Sequence, residues 1–144
     1  MSETVKAILD RKGREVVTLA PQASIGEAAT TLNEHRIGAI VVTSADGGIA
    51  GIFTERDLVR AVAKSGAACL TQPLSSIMTA AVQRCSEETR VNELMELMTA
   101  GRFRHLPVEH GGKLGGIVSI GDVVKSRISE VEQEAAAIKA YIAS

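Results

Sequence analysis

The chain contains the same sequence pattern twice, and this internal repeat constrains the fold more than any other feature. The stretch GIFTERD at residues 51–57 has a counterpart in GIVSIGD at residues 116–122, so the hydroxyl residues and the aspartates are each 65 positions apart. Upstream, RIGAIVV at residues 36–42 matches RFRHLPV at residues 102–108 with an offset of 66. Because nearly constant offsets over several segments indicate duplicated supersecondary units, we expect two structural repeats.

Hydrophobic periodicity assigns the same order of elements to each repeat. Apolar residues recur at i, i+3, i+4 and i+7 in both, which is the pattern of an amphipathic helix. These residues are Ile25, Ala28, Ala29 and Leu32 in the first repeat, and Val91, Leu94, Met95 and Met98 in the second. A short strand precedes this helix, a strand pair with a Gly-rich turn follows it, and a second helix closes the repeat. The predicted strands are 16–19, 39–42 and 49–53, then 82–85, 106–108 and 114–118.

This order of elements predicts a fold of the α/β class, of the α+β type, built from two β-α-β-β-α repeats. A unit of about 50 residues buries too little apolar surface to be stable alone, so the repeats are expected to pack face to face as one body. Along the chain we expect the first repeat with its lead-in at residues 1–70, the second repeat at 71–128, and a C-terminal helical extension at 129–144.

The last helix extends beyond its repeat with a heptad-like spacing of apolar residues. These residues step alternately by four and three positions, as along a coiled-coil seam. They are Val124, Ile128, Val131, Ala135, Ile138 and Ile142. The spacing fits both a helix packed on its own domain and a helix that contacts a second copy of the chain, and the sequence leaves both arrangements open.

Composition and charge argue against several classes of function. The 16 basic and 17 acidic residues give a net charge of -1 and only 2% of residues are aromatic, which argues against nucleic-acid binding. No stretch approaches the ~20 apolar residues of a membrane helix, and the N-terminus lacks the apolar core of a signal peptide. We therefore expect a cytoplasmic protein that does not enter the membrane, with Cys69 and Cys85 as reduced thiols.

Each repeat carries a hydroxyl residue and an aspartate three positions apart, where an apolar strand meets a helix. The pairs are Thr54 with Asp57 and Ser119 with Asp122. An ionised carboxylate offers only acceptor sites, which suit the neighbouring hydroxyl donors of a ribose, and a helix start favours a nearby anion. A single pair of this kind is also a plain helix cap. Two copies in matching positions favour ligand binding, and capping is compatible with it.

Basic side chains lie just before the strand predicted at 106–108 in the second repeat. Arginine binds phosphate bidentately and histidine adds a donor, so Arg104 and His105 are candidate phosphate ligands, although adjacent strand residues face opposite ways. Arg56 is a further candidate, whereas Gly38 occupies the position of Arg104 in the first repeat, so we expect unequal sites. The histidines and cysteines lack metal-ligand spacing and no nucleophile–base set is present, so we expect neither a metal site nor catalysis.

The doubled Gly-apolar-apolar-Ser/Thr-x-x-Asp motif and the Arg-His-Leu-Pro-Val run at 104–108 resemble the CBS (cystathionine β-synthase-type) domain, present as a tandem pair. The lead-ins at 5–9 and 74–79 are also similar to those of this family, and the likeness covers about residues 5–128. The whole chain resembles stand-alone bacterial CBS-pair proteins. The resemblance implies repeats related by a pseudo-two-fold axis, commonly a disc-shaped homodimer, and two clefts between the repeats that often bind adenine nucleotides.

The resemblance also implies a role for particular residues, carried over by position. The residues of one cleft would be Ser119 and Asp122 for ribose, Val17 and Ile37 around adenine, and Arg104 or His105 for phosphate. Those of the other would be Thr54 and Asp57 for ribose, with Gln83 and Phe103 near the base. In this second cleft Gly38, at the position matching Arg104, argues against a phosphate contact.

The function implied is that of a ligand-sensing regulatory module without catalysis. AMP is the first expected ligand and NAD(H) the second, while ADP, ATP and S-adenosylmethionine belong to the same implied set. Binding would favour one arrangement of repeats or protomers, which an unidentified regulated protein would recognise. The alternative is an interaction module with empty clefts that only dimerises or docks on a partner. The two differ in whether an adenine nucleotide raises the melting temperature.

Overall fold

The computed structural model describes residues 2–144, and both predicted repeats are present as separate sets of helices and strands. Met1, which falls in the predicted first repeat, lies outside the described residues. The elements of the first half are α1 (Val5–Lys12), β1 (Thr18–Leu19), α2 (Ile25–His35), β2 (Ala39–Thr43), β3 (Ile49–Thr54) and α3 (Glu55–Ser65). Those of the second half are α4 (Val91–Gly101), β4 (His105–His110), β5 (Lys113–Ser119) and α5 (Ile120–Ala143). The predicted α+β class is confirmed.

The first repeat contains a three-stranded sheet in the order β1-β2-β3. Strand β1 is parallel to β2, and β2 is antiparallel to β3 with Val41 opposite Ile52. The turn between β2 and β3 requires a positive φ of 86° at Gly47, which other L residues rarely adopt. The Asp46 carboxylate stabilises this turn, since it accepts a 2.9 Å hydrogen bond from the N–H of Gly48. The hairpin predicted from the Asp-Gly-Gly sequence is therefore confirmed.

The second repeat contains only the β4-β5 hairpin, so the strand predicted at 82–85 is wrong. Only Cys85 pairs there, through a parallel bridge to Val108. Its N–H donates to the carbonyl of Pro107 at 3.1 Å, and its carbonyl accepts from the N–H of Glu109 at 2.8 Å. The residues at 82 and 83 make no such bridge and line a cleft between the repeats.

Each half has its own hydrophobic core, and each core is completed by the lead-in segment of the other half. Helix α1 inserts Val5, Ile8 and Leu9 into the core of the second repeat. The segment between the repeats forms 3₁₀ turns at Gly66–Thr71 and Leu74–Ser76. From these turns come side chains that complete the first core, namely Cys69, Leu74, Ile77 and Met78.

The exchange of lead-in segments follows the pseudo-two-fold symmetry. Isolated antiparallel bridges join Thr4 to Arg90 in one half and Pro73 to Ser24 in the other. Positions in the two lead-ins therefore correspond with an offset of 69. Two helix starts also correspond, because α3 and α5 both begin with a capping box in which a hydroxyl residue and an aspartate bond each other's backbone N–H.

Helix α5 is packed over its first turns and exposed afterwards. Val123 and Ser126 are buried, whereas every residue from 131 to 144 is exposed. Of the two arrangements that the apolar spacing left open, packing on its own domain therefore holds only for the first part of α5. Over residues 2–144, the helices are too short or too polar to cross a lipid bilayer.

Candidate functional site

A cleft of about 360 Å³ lies between the two repeats and is lined by both. The first repeat contributes the end of β3 and the start of α3, which carry Thr54, Arg56 and Asp57. The second repeat contributes the segment after its lead-in and the turn from α4 into β4, which carry Gln83 and Phe103. The cleft thus brings together residues that are far apart in the sequence.

Thr54 and Asp57 form one end of the cleft, where their capping box leaves one carboxylate oxygen available. Asp57 Oδ2 accepts hydrogen bonds from the backbone N–H of Thr54 at 2.9 Å and from its hydroxyl at 3.2 Å. Within residues 2–144, Oδ1 of Asp57 accepts no hydrogen bond, and its nearest cation is Arg60 Nη1 at 3.8 Å. The Asp57 side chain lines the cleft and is only 11% exposed.

Gln83 and Phe103, the two residues predicted near a base, line the same cleft. The phenyl ring of Phe103 is half-buried and lies over Gly101, where an added Cβ would come 2.1 Å from ring atom Cε2. A side chain at position 101 would therefore displace the ring. This use of Gly101 escaped the sequence analysis because the glycine sits at the end of α4, where it is also expected as a plain helix terminator.

Basic side chains also line the cleft, together with the carboxylate of Glu55. Arg56, Arg102 and Arg104 all border it, and within the described chain no carboxylate lies within 4.0 Å of their guanidinium groups. Arg102 ends α4 with a left-handed φ of 54°, a backbone conformation that is unusual for arginine. Unpaired guanidinium groups around a concave surface are suited to binding an anion such as phosphate.

His105 also borders the cleft, and it differs from these arginines in being largely buried. Burial lowers the pKa of His105 below its ordinary value, although the carboxylate of Glu55 acts in the opposite direction. The imidazole is therefore neutral near pH 7 and retains one N–H donor. Its ring lies against Gly38, with Cε1 3.4 Å from the point where a Cβ would stand. Gly38 thus has a steric role in the cleft.

The sequence assignment divided the predicted residues between two clefts, and the structure groups them differently. Arg104 and His105, assigned to the cleft of Ser119 and Asp122, line the cleft that contains Thr54 and Asp57. The His105 ring lies beside Gly38, so the start of β4 is close to the first repeat. The predicted residues that do not line this cleft are Val17, Ile37, Ser119 and Asp122. Val17 and Ile37 pack against the first core.

Ser119 and Asp122 form the second capping box, and here the carboxylate has an additional partner. Asp122 Oδ2 accepts from the N–H of Ser119 at 2.9 Å and from Lys12 Nζ at 2.7 Å. Burial by itself would raise the pKa of Asp122, but the hydrogen bonds from Lys12 and from the Ser119 backbone bring it below the ordinary value. Asp122 is therefore ionised at neutral pH and paired with a cation from α1.

Two like α+β units that enclose a cleft define a paired-repeat module, and comparison with known proteins identifies the family. The family model described as CBS domain matches residues 5–64 and again residues 74–129. The chain belongs to the CBS domain family and contains a tandem pair of these domains.

Solved structures of CBS-domain proteins have the same fold. The CBS-domain containing protein ATU1752 from Agrobacterium tumefaciens is 62% identical, with a TM-score of 0.84 over 88% of this chain and 95% of that one. The CBS domain pair of protein MJ0100, in complex with 5'-methylthioadenosine and S-adenosyl-L-methionine, is 25% identical, with a TM-score of 0.80 over 90% and 99%. The CBS domain protein PAE2072 from Pyrobaculum aerophilum, complexed with AMP, is 29% identical, with a TM-score of 0.78 over 92% and 98%.

Proposed function

We propose that the chain is a non-catalytic regulatory module that binds an adenine nucleotide in the cleft between its repeats. The observation that carries the proposal is the convergence of the Thr54–Asp57 pair with side chains of the other repeat around one cleft of about 360 Å³. Asp57 Oδ1 can accept a hydrogen bond from a ribose hydroxyl while Oδ2 continues to cap α3. Ligand binding and helix capping therefore use different oxygens of the same carboxylate.

The other walls of the cleft match the remaining parts of a nucleotide. The amide of Gln83 both donates and accepts hydrogen bonds, as the edge of adenine does, and the ring of Phe103 offers a flat apolar surface. Arg56 and Arg104 supply charged donors for phosphate, and neutral His105 supplies one more N–H. The likeness to proteins complexed with AMP and with S-adenosyl-L-methionine supports an adenosine-containing ligand.

Cleft size decides the order in which ligands are tested. About 360 Å³ is near the lower end of the roughly 300–1,000 Å³ typical of small-molecule sites. AMP is therefore the first choice, because it has one base, one sugar and one phosphate. NAD(H) is the second choice, since its nicotinamide half would extend out of the cleft past the exposed Arg102 and Arg104.

Calorimetric titration of the purified chain with AMP, NADH, ATP and S-adenosylmethionine tests the proposal. The variant Asp57→Asn keeps the shape of the side chain but removes its charge, and a hydrogen bond to a charged group contributes about 1.5–3 kcal/mol. We expect a 10- to 150-fold weaker Kd in this variant. Asp46→Asn, in the exposed β2-β3 turn, is the matched control and should bind like the wild type. Equal affinity of wild type and Asp57→Asn would remove Asp57 from the site.

The alternative function, an interaction module with an empty cleft, is favoured by a separate observation. Large apolar side chains are exposed on α3 and on α5, among them Val59, Val124 and Ile128 at 66%, 48% and 53%. We infer that these faces pair two copies of the chain into a homodimer, since exposed apolar faces of this kind mark association surfaces. A regulated partner protein would then recognise the dimer with or without its ligand.

Sedimentation velocity tests the homodimer. The double variant Val124→Glu/Ile128→Glu places charges on the exposed apolar face of α5 and should sediment as a monomer. Lys125→Glu, on the same helix, is the matched control and should remain a dimer. A dimer that forms without any thermal stabilisation by the four nucleotides would favour the interaction-only function, whereas a monomeric wild type would contradict the homodimer.

A further inference from the structure

The two halves of the chain carry the same Ser/Thr-x-x-Asp pair but differ in the residue that faces it from the lead-in. Lead-in positions correspond with an offset of 69, as the bridges of Thr4 and Pro73 show. Lys12 therefore corresponds to Ala81. The packing agrees with this correspondence, because an added Cβ would lie 2.9 Å from Leu9 Cδ1 at position 116 and 2.8 Å from Met78 Sδ at position 51.

The two lead-ins have different local structures, which determine whether a side chain reaches the aspartate. In the first half, α1 continues for two turns and ends at Lys12, whose ammonium lies 2.7 Å from Asp122 Oδ2. In the second half, the helical part ends at Ser76, and Thr79 then pairs in an extended conformation with Ile52. Ala81 borders the cleft and, having only a methyl group, leaves the front of Asp57 open.

The ammonium of Lys12 and the hydroxyls of a ribose compete for the same carboxylate. Lys12 bonds Oδ2, the oxygen that also caps α5, so a ribose at Oδ1 would meet a carboxylate that is already paired with a cation. A lysine has three donors and no acceptor, so it satisfies a carboxylate in the way that ribose hydroxyls would. The pair is partly shielded from water, since the side chain of Asp122 is 17% exposed and that of Lys12 is 35% exposed. A nucleotide at Asp122 would meet this charged partner at hydrogen-bond distance, whereas at Asp57 the nearest cation, Arg60 Nη1, lies 3.8 Å from Oδ1 and forms no hydrogen bond with it.

We propose that Lys12 closes the Ser119–Asp122 site, so that each chain binds a single nucleotide, at the Thr54–Asp57 cleft. Lys12 acts as an internal replacement for the ligand of the second site and determines the stoichiometry of binding. This inference rests on the proposed function, because it concerns which of the two related sites a nucleotide uses.

The test is a calorimetric titration of wild type, Lys12→Ala and Lys12→Arg with AMP, and with NADH, ATP and S-adenosylmethionine where AMP gives no heat. Lys12→Ala gives the first half the residue that the second half has at position 81. We expect one nucleotide per chain for the wild type, two for Lys12→Ala, and one for Lys12→Arg, which keeps the cation. Far-UV circular dichroism and the melting temperature check that each variant is folded.

A further substitution assigns the additional binding event. Asp122→Asn in the Lys12→Ala chain should remove the second event and keep the first. Three outcomes would contradict the role of Lys12 while leaving nucleotide binding established. They are one nucleotide per chain in Lys12→Ala, two nucleotides per chain in the wild type, and a binding event that weakens when Lys12 is removed. No binding of any of the four nucleotides to any of these folded proteins would instead contradict the proposed function.

Discussion

The contact between Leu9 and Gly116 allows a quantitative test of how α1 is built into the second core. Leu9 is fully buried, and Gly116 has no side chain at the point where Leu9 approaches β5. An alanine at position 116 would place its Cβ 2.9 Å from Leu9 Cδ1 and 3.0 Å from Cδ2. The two positions therefore share one space, and substitutions at them are predicted to be strongly coupled.

The size of the coupling follows from cavity and overpacking energies. Leu9→Ala removes a buried leucine and should lower the free energy of unfolding by about 2–5 kcal/mol. Gly116→Ala forces extra volume into a packed core and should cost about 1–3 kcal/mol. In the double variant the methyl group of Ala at 116 enters space that Leu9 has vacated, so the combined loss should be smaller than the sum by about 1–2 kcal/mol. The entropic effect of replacing glycine is the same in both backgrounds and cancels from the cycle.

Urea unfolding of the wild type, the two single variants and the double variant measures this cycle. Thermal unfolding gives a second reading, because 1 kcal/mol corresponds to roughly 3–5 °C for a chain of this length. Val59→Ala combined with Gly116→Ala is the control pair, since Val59 is exposed on α3 and its effect should be additive. Additive free energies for Leu9 and Gly116, within about 0.5 kcal/mol, would show that α1 does not pack on β5 in solution.

Three further predictions concern thiols, pH and the end of α5. Burial raises the pKa of Cys85 to about 12, and Cys69 is buried as well, so neither thiol should react with Ellman's reagent at pH 8 until guanidinium unfolds the chain, when both should react. The pKa of His105 is lower in the folded chain than its ordinary value, so the unfolded chain binds more protons just below pH 6.5. Urea titrations should therefore show that the free energy of unfolding falls from pH 7.5 to pH 5.5, and the fall should be smaller in His105→Gln. Removal of residues 131–144, all exposed, should leave the urea midpoint of unfolding unchanged; a lower midpoint would show that this segment packs on the domain.

The repeated motifs were sufficient to predict the elements that each half uses for its own sheet and helices. Strands β2 and β3 were predicted within one residue, because apolar runs flanked by an Asp-Gly turn permit little else. The strand predicted at 82–85 is reduced to the bridge of Cys85, although the apolar pattern of this segment is typical of a strand. The local sequence determines the β-propensity of a segment, whereas the pairing of a short strand also depends on the side chains that pack against it in the tertiary structure.

The candidate site was predictable in its residue types and less so in its grouping. Thr54, Asp57, Gln83 and Phe103, which were assigned to one site by position, line one cleft, and their contacts with a ligand stay a prediction. The grouping of the basic residues with them depends on how β4 meets the first repeat, which is a tertiary contact. The pairing of Lys12 with Asp122 spans 110 positions and carries no sequence signal of its own.

The exchanged lead-ins have a consequence for how the chain responds to proteolytic cleavage. A protease that cleaved the peptide between residues 70 and 71 would leave α1 on one fragment and the core that it fills on the other. Each fragment would contain a segment that packs in the core of the other fragment, so the two fragments should stay associated until both cores unfold. Two short exchanged segments therefore couple the two repeats, so that they are expected to unfold as one cooperative unit.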